Sequence, residues 1–450
     1  MAVFALVDGN SFYVSCQMAF EPALKHKPAV VLSNNDGCVV AANAKAKAID
    51  GLLKQQKMQF GPGGYHAARP ESIMFQPYFK VKRYLDQIHA VVFSSNYELY
   101  ADMSSRMHSI LSDFAIRQEI YSIDESFLDL SGMALSDFTP YGHEIKRTVM
   151  QSLGLPVAVG FGSSRTLAKL ANHLAKKQAA YQGVLDLTIL SESSLNALLK
   201  KVEIRDVWGV GKALSAKLEA QGLLSAYDLK MSDLRFIRKR YSITAERIVR
   251  ELRGESCLSL GQLTTSDRQI ISSRSFGKPV TEYVQMEQAV ATYIVRAAEK
   301  LRAQNKVCQF VTVSIRTSPF QGRQQTYQNS QTLPLIYPSD SSVLLIKLTK
   351  RALKMIWQSG YAYQKAGVVL SGVTEKGAVQ IDCFAPNPQY SANQKSDRLM
   401  QVVDSLNHRM GKGTVQLAAE GQKNDQAWQM KRSKMSKRYT TRWDELLTVR

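Results

Sequence analysis

Asp124 and Glu125 stand side by side at the head of the run Ser126-Phe127-Leu128-Asp129-Leu130, and far upstream Asp8 closes the run Phe4-Ala5-Leu6-Val7. Both runs are short and apolar, the pattern of buried strands. Two such strands side by side in one sheet would bring three carboxylates together. Successive residues of a regular strand point to opposite faces, so Asp124 and Glu125 act together only where a hairpin end or a bend breaks the alternation. Three acids with no histidine or cysteine close in sequence favour a hard cation such as Mg²⁺, and with it phosphate chemistry. Taken alone, an Asp-Glu pair is more often a solvent-facing turn; the residues around it decide.

Charge narrows the partners. Across 450 residues, 58 Lys+Arg oppose 38 Asp+Glu, a net charge of +20, which fits a nucleic-acid or anionic-surface partner. No apolar run approaches the ~20 residues needed to span a bilayer, so nucleic acid is preferred and no membrane is expected. Cys16, Cys38, Cys257, Cys308 and Cys383 are odd in number and widely spaced, as for free thiols in a reducing cytoplasm, with no zinc site. No export signal opens the chain, and an intracellular location is expected.

The length suggests several packed domains. Strands are expected at 2–7, 29–32, 38–41, 90–93, 127–130 and 156–162, with Asp36-Gly37 as a hairpin turn between the second and third. Helices are expected at 42–48, 103–114 and 164–177, the last with Leu167, Leu170, Ala171 and Leu174 on one face. Strands alternating with helices give an α/β catalytic platform. Past about residue 190 the pattern turns to short helices at 195–202 and 213–221 around Trp208-Gly209-Val210-Gly211-Lys212. Such a turn lets helix N-terminal amides approach a phosphate, or merely caps a helix. A further α/β unit, with strands at 311–315 and 367–370 and helices at 286–304 and 341–358, falls in a segment (262–375) holding 14 Lys/Arg against 6 Asp/Glu, a basic module suited to tracking a DNA backbone. A linker is expected at 386–394 and a helix at 397–410. Residues 426–443 carry Lys431, Arg432, Lys434, Lys437, Arg438 and Arg442, a solvated or partner-binding tail.

Around Asp8 the chain reads Asp8-Gly9-Asn10-Ser11-Phe12-Tyr13. A Tyr13 ring at the floor of a nucleotide pocket would collide with a ribose 2′-OH; a core aromatic is the alternative, and for Phe12 the better one. Lys47 and Lys176 are candidates to meet triphosphate charge, although most helical lysines are solvated.

These residues resemble the Y-family translesion DNA polymerases, and among them the UmuC type, the catalytic subunit of bacterial DNA polymerase V. The likeness runs end to end through Asp8 to Tyr13, Ser33-Asn34-Asn35-Asp36-Gly37-Cys38, Ser95-Asn96-Tyr97-Glu98-Leu99-Tyr100, Tyr121 to Phe127, Val159-Gly160-Phe161-Gly162, the Gly209–Gly211 turn and Arg438-Tyr439-Thr440-Thr441-Arg442-Trp443. The resemblance implies an α/β multidomain right-hand polymerase. Its parts are a palm (1–12 and 88–183), small fingers (13–87), a helical thumb with helix-hairpin-helix (184–255), an α/β little finger (265–375) and a C-terminal clamp- and partner-binding tail (376–450). It implies two Mg²⁺ ions on Asp8, Asp124, Glu125 and the Gly9 carbonyl, with Tyr13 as steric gate, Lys47 and Lys176 on the triphosphate, and Gly209, Gly211 and Lys212 on DNA. Many Y-family members carry Tyr and Arg where this chain has Ala44 and Lys47, a departure that UmuC-type chains share. Gln380-Ile381-Asp382-Cys383-Phe384 resembles the sliding-clamp pentapeptide, with Gln380, Ile381 and Phe384 as its anchors and Cys383 in place of leucine. The implied activity is error-prone, template-directed DNA synthesis past lesions in the SOS response. The implied partners are primed DNA, dNTPs, a UmuD′-type dimer, a RecA filament and the clamp, in a cytoplasmic, nucleoid-associated setting. The alternatives are a decayed DNA-binding scaffold of the same fold and a two-metal nuclease.

Overall fold

The computed structural model describes residues 2–51, 72–257, 269–318, 326–376, 389–411, 413–421 and 428–447, with the side chains of 389–395 left aside. Two compact units emerge: Met1–Leu263 with Ser433–Arg450, and Thr264–Arg432. The tail that the sequence groups as 376–450 is thus divided between them.

The first unit contains strands β1 (Phe4–Gly9), β2 (Ala29–Leu32), β3 (Val39–Ala42), β4 (Val91–Phe93), β5 (Arg117–Ile120), β6 (Glu125–Asp129), β7 (Val157–Gly162) and β8 (Val184–Asp186). Five form a sheet in the order β5-β6-β1-β7-β8, and three form a smaller one in the order β3-β2-β4. β1 is the central strand, antiparallel to β6 and β7. Covered on both faces, it reads as a continuous apolar run, and Ala5, Leu6 and Val7 are fully buried. β4 lies in the stretch placed in the palm by sequence, yet it pairs in parallel with β2 of the smaller sheet. β2 and β3 pair antiparallel as expected. In the turn between them, the left-handed residues are Asn35 and Asp36 (φ 61° and 51°), one position upstream of the expected Asp-Gly pair. Asn and Asp tolerate that conformation because their short polar side chains bond locally.

Helix Arg165–Lys177 lies on the large sheet because two glycines of β7 allow it. A Cβ on Gly160 would fall 2.1 Å from the Asn172 nitrogen and 2.5 Å from the Ala168 oxygen; one on Gly162 would fall 2.6 Å from the Ala168 nitrogen. Asn172, buried in that contact, donates to the Leu6 and Ala158 carbonyls at 3.1 and 2.7 Å and fixes the helix to β1 and β7. At the N-terminus, Ser164 Oγ accepts from the Leu167 amide. The Glu251 carboxylate accepts from the Thr166 amide at 2.9 Å. Glu251 is itself buried on helix Ile243–Leu252, the last of a group of short helices that begins at Glu192–Leu199. Its negative charge at the free amides of a helix start is favourable on both hydrogen-bonding and dipole grounds.

The second unit carries β9 (Gln269–Val280), β10 (Lys306–Thr317), β11 (Gln328–Ser339) and β12 (Tyr363–Ser371) in an antiparallel sheet of order β11-β10-β12-β9. Helices Tyr283–Ala303 and Ser342–Ile356 share one buried cluster with this sheet, built from residues such as Val290, Ile294, Val311, Val368 and Leu353. β9 and β11 escaped the sequence reading because only one of their faces is buried, leaving strands rich in Ser, Gln, Thr and Lys. Helix Gln389–Met410 starts inside the stretch read as a linker.

Gly160→Ala is expected to destabilise the protein by roughly 3 kcal/mol or more, since the added methyl meets main chain rather than a side chain that can move. Denaturant unfolding of the two proteins is the check.

Candidate active site

The pairing of β1 with β6 places Asp8 opposite Glu125. Asp124 immediately precedes Glu125, and the Gly9 amide donates to the Asp124 carbonyl at 2.8 Å. Residues 121–124 connect β5 to β6, and the Tyr121 and Ser122 amides both donate to the Glu125 carbonyl, at 3.0 and 3.1 Å. Asp124 is therefore in a hairpin end and Glu125 is the first strand residue. This is the break in alternation that the acidic pair requires.

Each carboxylate has its own partner. Asp8 Oδ1 lies 2.5 Å from Lys176 Nζ, and Glu125 Oε1 lies 2.7 Å from Lys169 Nζ. Asp124 Oδ1 accepts from the Ser122 hydroxyl at 2.6 Å. The Asp8 carboxyl is pushed up to about 6, chiefly by burial; Lys176 opposes the shift, while Glu125 and Asp124 add to it. Among the described residues, no group of three or more His, Cys, Asp or Glu side chains is gathered closely enough to hold a metal ion. The main chain thus brings the three acids together, while their side chains remain tied to separate partners. The chemistry of the set still fits a hard cation: the donors are carboxylate oxygens, and Asp8 ionises against two neighbouring acids whose repulsion a cation relieves.

Two residues that are distant in sequence stand near Asp124, so the expectation of no nearby histidine or cysteine does not hold in space. His108 Nε2 donates to the Ser122 carbonyl at 3.1 Å, and burial lowers its pKa. The Cys16 thiol is buried and is pushed up by burial and by Asp124. The one is engaged and the other is held protonated.

Lys47 feels the charge of Lys176. Lys47 is exposed and donates to Ser11 Oγ at 3.0 Å; the protein around its ammonium and the charge of Lys176 lower its pKa. Tyr13 stacks on Tyr100 at 4.6 Å and meets Tyr97 edge-on at 5.9 Å. Phe12 is buried in the core, as expected for it.

Lys169, Tyr121 and Trp208 were missed from sequence. The Lys169 ammonium sits 4.5 Å from the Tyr121 ring centre and 5.5 Å from that of Trp208. Trp208 packs edge-on against Tyr121 at 5.7 Å and precedes the glycine turn. A signal existed, because Lys169 and Lys176 are two helical turns apart on one face. In the turn, Gly209 has φ 88°, which favours glycine, and a Cβ there would meet Ile248 at 2.8 Å. Gly211 caps helix Lys212–Glu219; Gly209, Gly211 and Lys212 are exposed and are not among the residues gathered at the acids. Gln380, Ile381 and Phe384 lie outside the described residues.

Comparison with known proteins places the chain. The model of the impB/mucB/samB family matches residues 7–59 and 65–173, and that of its C-terminal domain matches 267–383. UmuC of Salmonella typhimurium is 44% identical over 450 residues, all of both chains, and SamB of the same organism is 39% identical over 445 residues, 99% of each. The chain belongs to the impB/mucB/samB family. DNA polymerase IV of Moorella thermoacetica is 23% identical over 426 residues, 92% of this chain and 94% of that one. Among solved structures, a Y-family DNA polymerase chimera of Dbh and Dpo4 superposes with TM-score 0.61 at 18% identity, covering 83% of this chain and 99% of that one. The fold is that of a Y-family polymerase, and the UmuC-type likeness read from the motifs holds over the full length. A model described as a domain of unknown function (DUF4113) matches 397–449. No helix among the described residues is long and apolar enough to cross a membrane.

In this impB/mucB/samB member the ionisation of Asp8 works against folding. Its pKa in the folded chain lies above the ordinary 3.8, so the stability it contributes is present below about pH 4 and is lost as pH rises through about 6. Asp8→Asn is therefore expected to stabilise the metal-free protein by on the order of 2 kcal/mol near pH 7.5 and by little near pH 4. Thermal unfolding of both proteins across that range, in chelator, gives the comparison.

Proposed function

We infer that this chain is an error-prone DNA-directed DNA polymerase of the UmuC type, which performs translesion synthesis by nucleotidyl transfer. The observation that carries the reading is the placement of Asp8, Asp124 and Glu125 at one strand end, with Lys176 on Asp8. Membership of the impB/mucB/samB family and the Y-family fold support it. A scaffold with a decayed site would have no reason to keep Asp8 ionised against its neighbours, and a nuclease has no use for Tyr13 as a sugar gate.

Asp8 and Asp124 would hold two Mg²⁺ ions, Glu125 would hold the one that serves the primer 3′-OH, and the Gly9 carbonyl would add a ligand. When bound, the ions supply Lewis-acid activation of that hydroxyl and neutralise the leaving pyrophosphate. Lys176 and Lys47 bind the triphosphate as point charges, without the bidentate fork of arginine. Lys169 holds Glu125 and, through Tyr121 and Trp208, connects it to the turn of Gly209, Gly211 and Lys212, which bind the DNA backbone through main-chain amides and charge. Tyr13, backed by Tyr100, excludes a 2′-OH. The antiparallel sheet of the second unit contributes a little finger on the template duplex. Gln380, Ile381 and Phe384 engage a sliding clamp, and a UmuD′-type dimer and a RecA filament complete the assembly at the nucleoid in the cytoplasm.

Primer extension with Mg²⁺, on damaged and undamaged templates and in the presence of the accessory dimer and clamp, is the test. The wild-type chain is expected to add templated nucleotides, and Asp124→Ala/Glu125→Ala to lose on the order of 10³-fold or more in rate. Full activity in the double variant would remove the assignment.

A further inference from the structure

The match to a domain of unknown function takes in residues 433–441, which return to the first unit and lie across two helices. Helix Phe12–Phe20 carries Tyr13, and helix Tyr97–Ser112 carries Tyr97 and Tyr100. One hydroxyl joins the two. Ser436 Oγ accepts from Gln17 Nε2 at 2.9 Å and from Asn96 Nδ2 at 2.9 Å. Gln17, one turn past Tyr13, also donates to the Tyr100 hydroxyl at 3.0 Å, and Tyr100 is the ring stacked on Tyr13. Asn96 caps the second helix through the Leu99 amide and donates to the Lys437 carbonyl at 3.0 Å. Gln17, Asn96 and Tyr100 are all at 0% exposure.

The segment is fastened on both sides of Ser436. Ser94 and Lys434 exchange two bonds at 2.8 and 2.9 Å. Asp36 Oδ2 accepts from the amide and the hydroxyl of Ser433 at 3.0 and 2.8 Å. Tyr439 stacks on Phe20 at 4.6 Å and donates to Glu21 Oε1 at 2.6 Å. A loose tail would not bury two side-chain amides on a single serine, because such groups are costly to leave without partners.

We propose that residues 433–441 form a strap that fixes the Tyr13 ring for sugar discrimination, with Ser436 as a positioning residue acting through Gln17 and Tyr100. This rests on the reading of Tyr13 as the gate. A steric gate discriminates only as far as its ring cannot yield, and Tyr13 is kept from yielding by Tyr100, which Gln17 holds and Ser436 holds in turn.

The test compares kcat/KM for dCTP and rCTP opposite template guanine, in the full chain with its accessory dimer, alongside thermal unfolding. Ser436→Ala is expected to raise ribonucleotide use relative to deoxynucleotide use about fivefold, through KM for rCTP, at unchanged kcat for dCTP. Ser436→Thr is expected to restore wild-type selectivity, and Trp443→Ala, which alters a 91% exposed neighbour, to leave it unchanged. Tyr13→Ala reports on the gate itself; if it leaves discrimination as in wild type, the gate reading fails and takes this proposal with it. If Tyr13→Ala relaxes discrimination while Ser436→Ala matches wild type, or lowers both nucleotides equally, the strap has no part in selectivity and the proposal is overturned. Should Ser436→Ala not fold, Tyr100→Phe, which keeps the stacked ring and removes the hydroxyl that accepts from Gln17, decides in the same terms.

Discussion

The antiparallel pairing of β1 with β6 is the contact on which the site depends. Its register sets Asp8 opposite Glu125, and the Gly9 bond to the Asp124 carbonyl draws the third acid to the same end. A slip by one residue would turn each side chain to the opposite face and dissolve the cluster. The register is well defended: Ala5, Leu6 and Val7 are fully buried between layers, and Asn172 ties the Leu6 carbonyl to a helix lying against Gly160. The same helix delivers Lys169 and Lys176, so the acids and their counter-charges are positioned by one packed interface.

This arrangement has an electrostatic cost. Burial and two neighbouring acids hold the Asp8 carboxyl up at about 6, against the pull of Lys176. Such opposition between stability and charge is expected where a site is built to receive a cation and a polyanion. The charge of Lys176 likewise disfavours the Lys47 ammonium, and a bound cation and polyanion would ease both conflicts.

Much of this was legible in the chain. The buried strands announced themselves as apolar runs, and the demand for a bend at Asp124-Glu125 followed from strand geometry alone. Lys176 is found on Asp8, Lys47 donates to Ser11 just past Asp8, and Tyr13 stacks on Tyr100. What was not legible depends on contacts between distant segments. His108 and Cys16 reach the surroundings of Asp124 only through folding, and Trp208 meets Lys169 only through packing of the glycine turn. β9 and β11, each with one buried face, are too polar to stand out. The basic run near the C-terminus read as a solvated or partner-binding tail because its anchors, Ser433, Ser436 and Tyr439, are ordinary residues among many lysines and arginines.

Whether the acids serve a hard cation, or merely hold their partners Lys176, Lys169 and Ser122, is decided most directly by Mn²⁺ binding. Mn²⁺ shares the oxygen-ligand preference of Mg²⁺ and is visible by electron paramagnetic resonance. With the full chain on primed DNA and a non-hydrolysable dNTP, the wild-type protein is expected to take up Mn²⁺ and Asp8→Asn to bind it at least about tenfold more weakly. Equal uptake by both proteins would contradict the role given to Asp8 and, with it, the site built around β1 and β6.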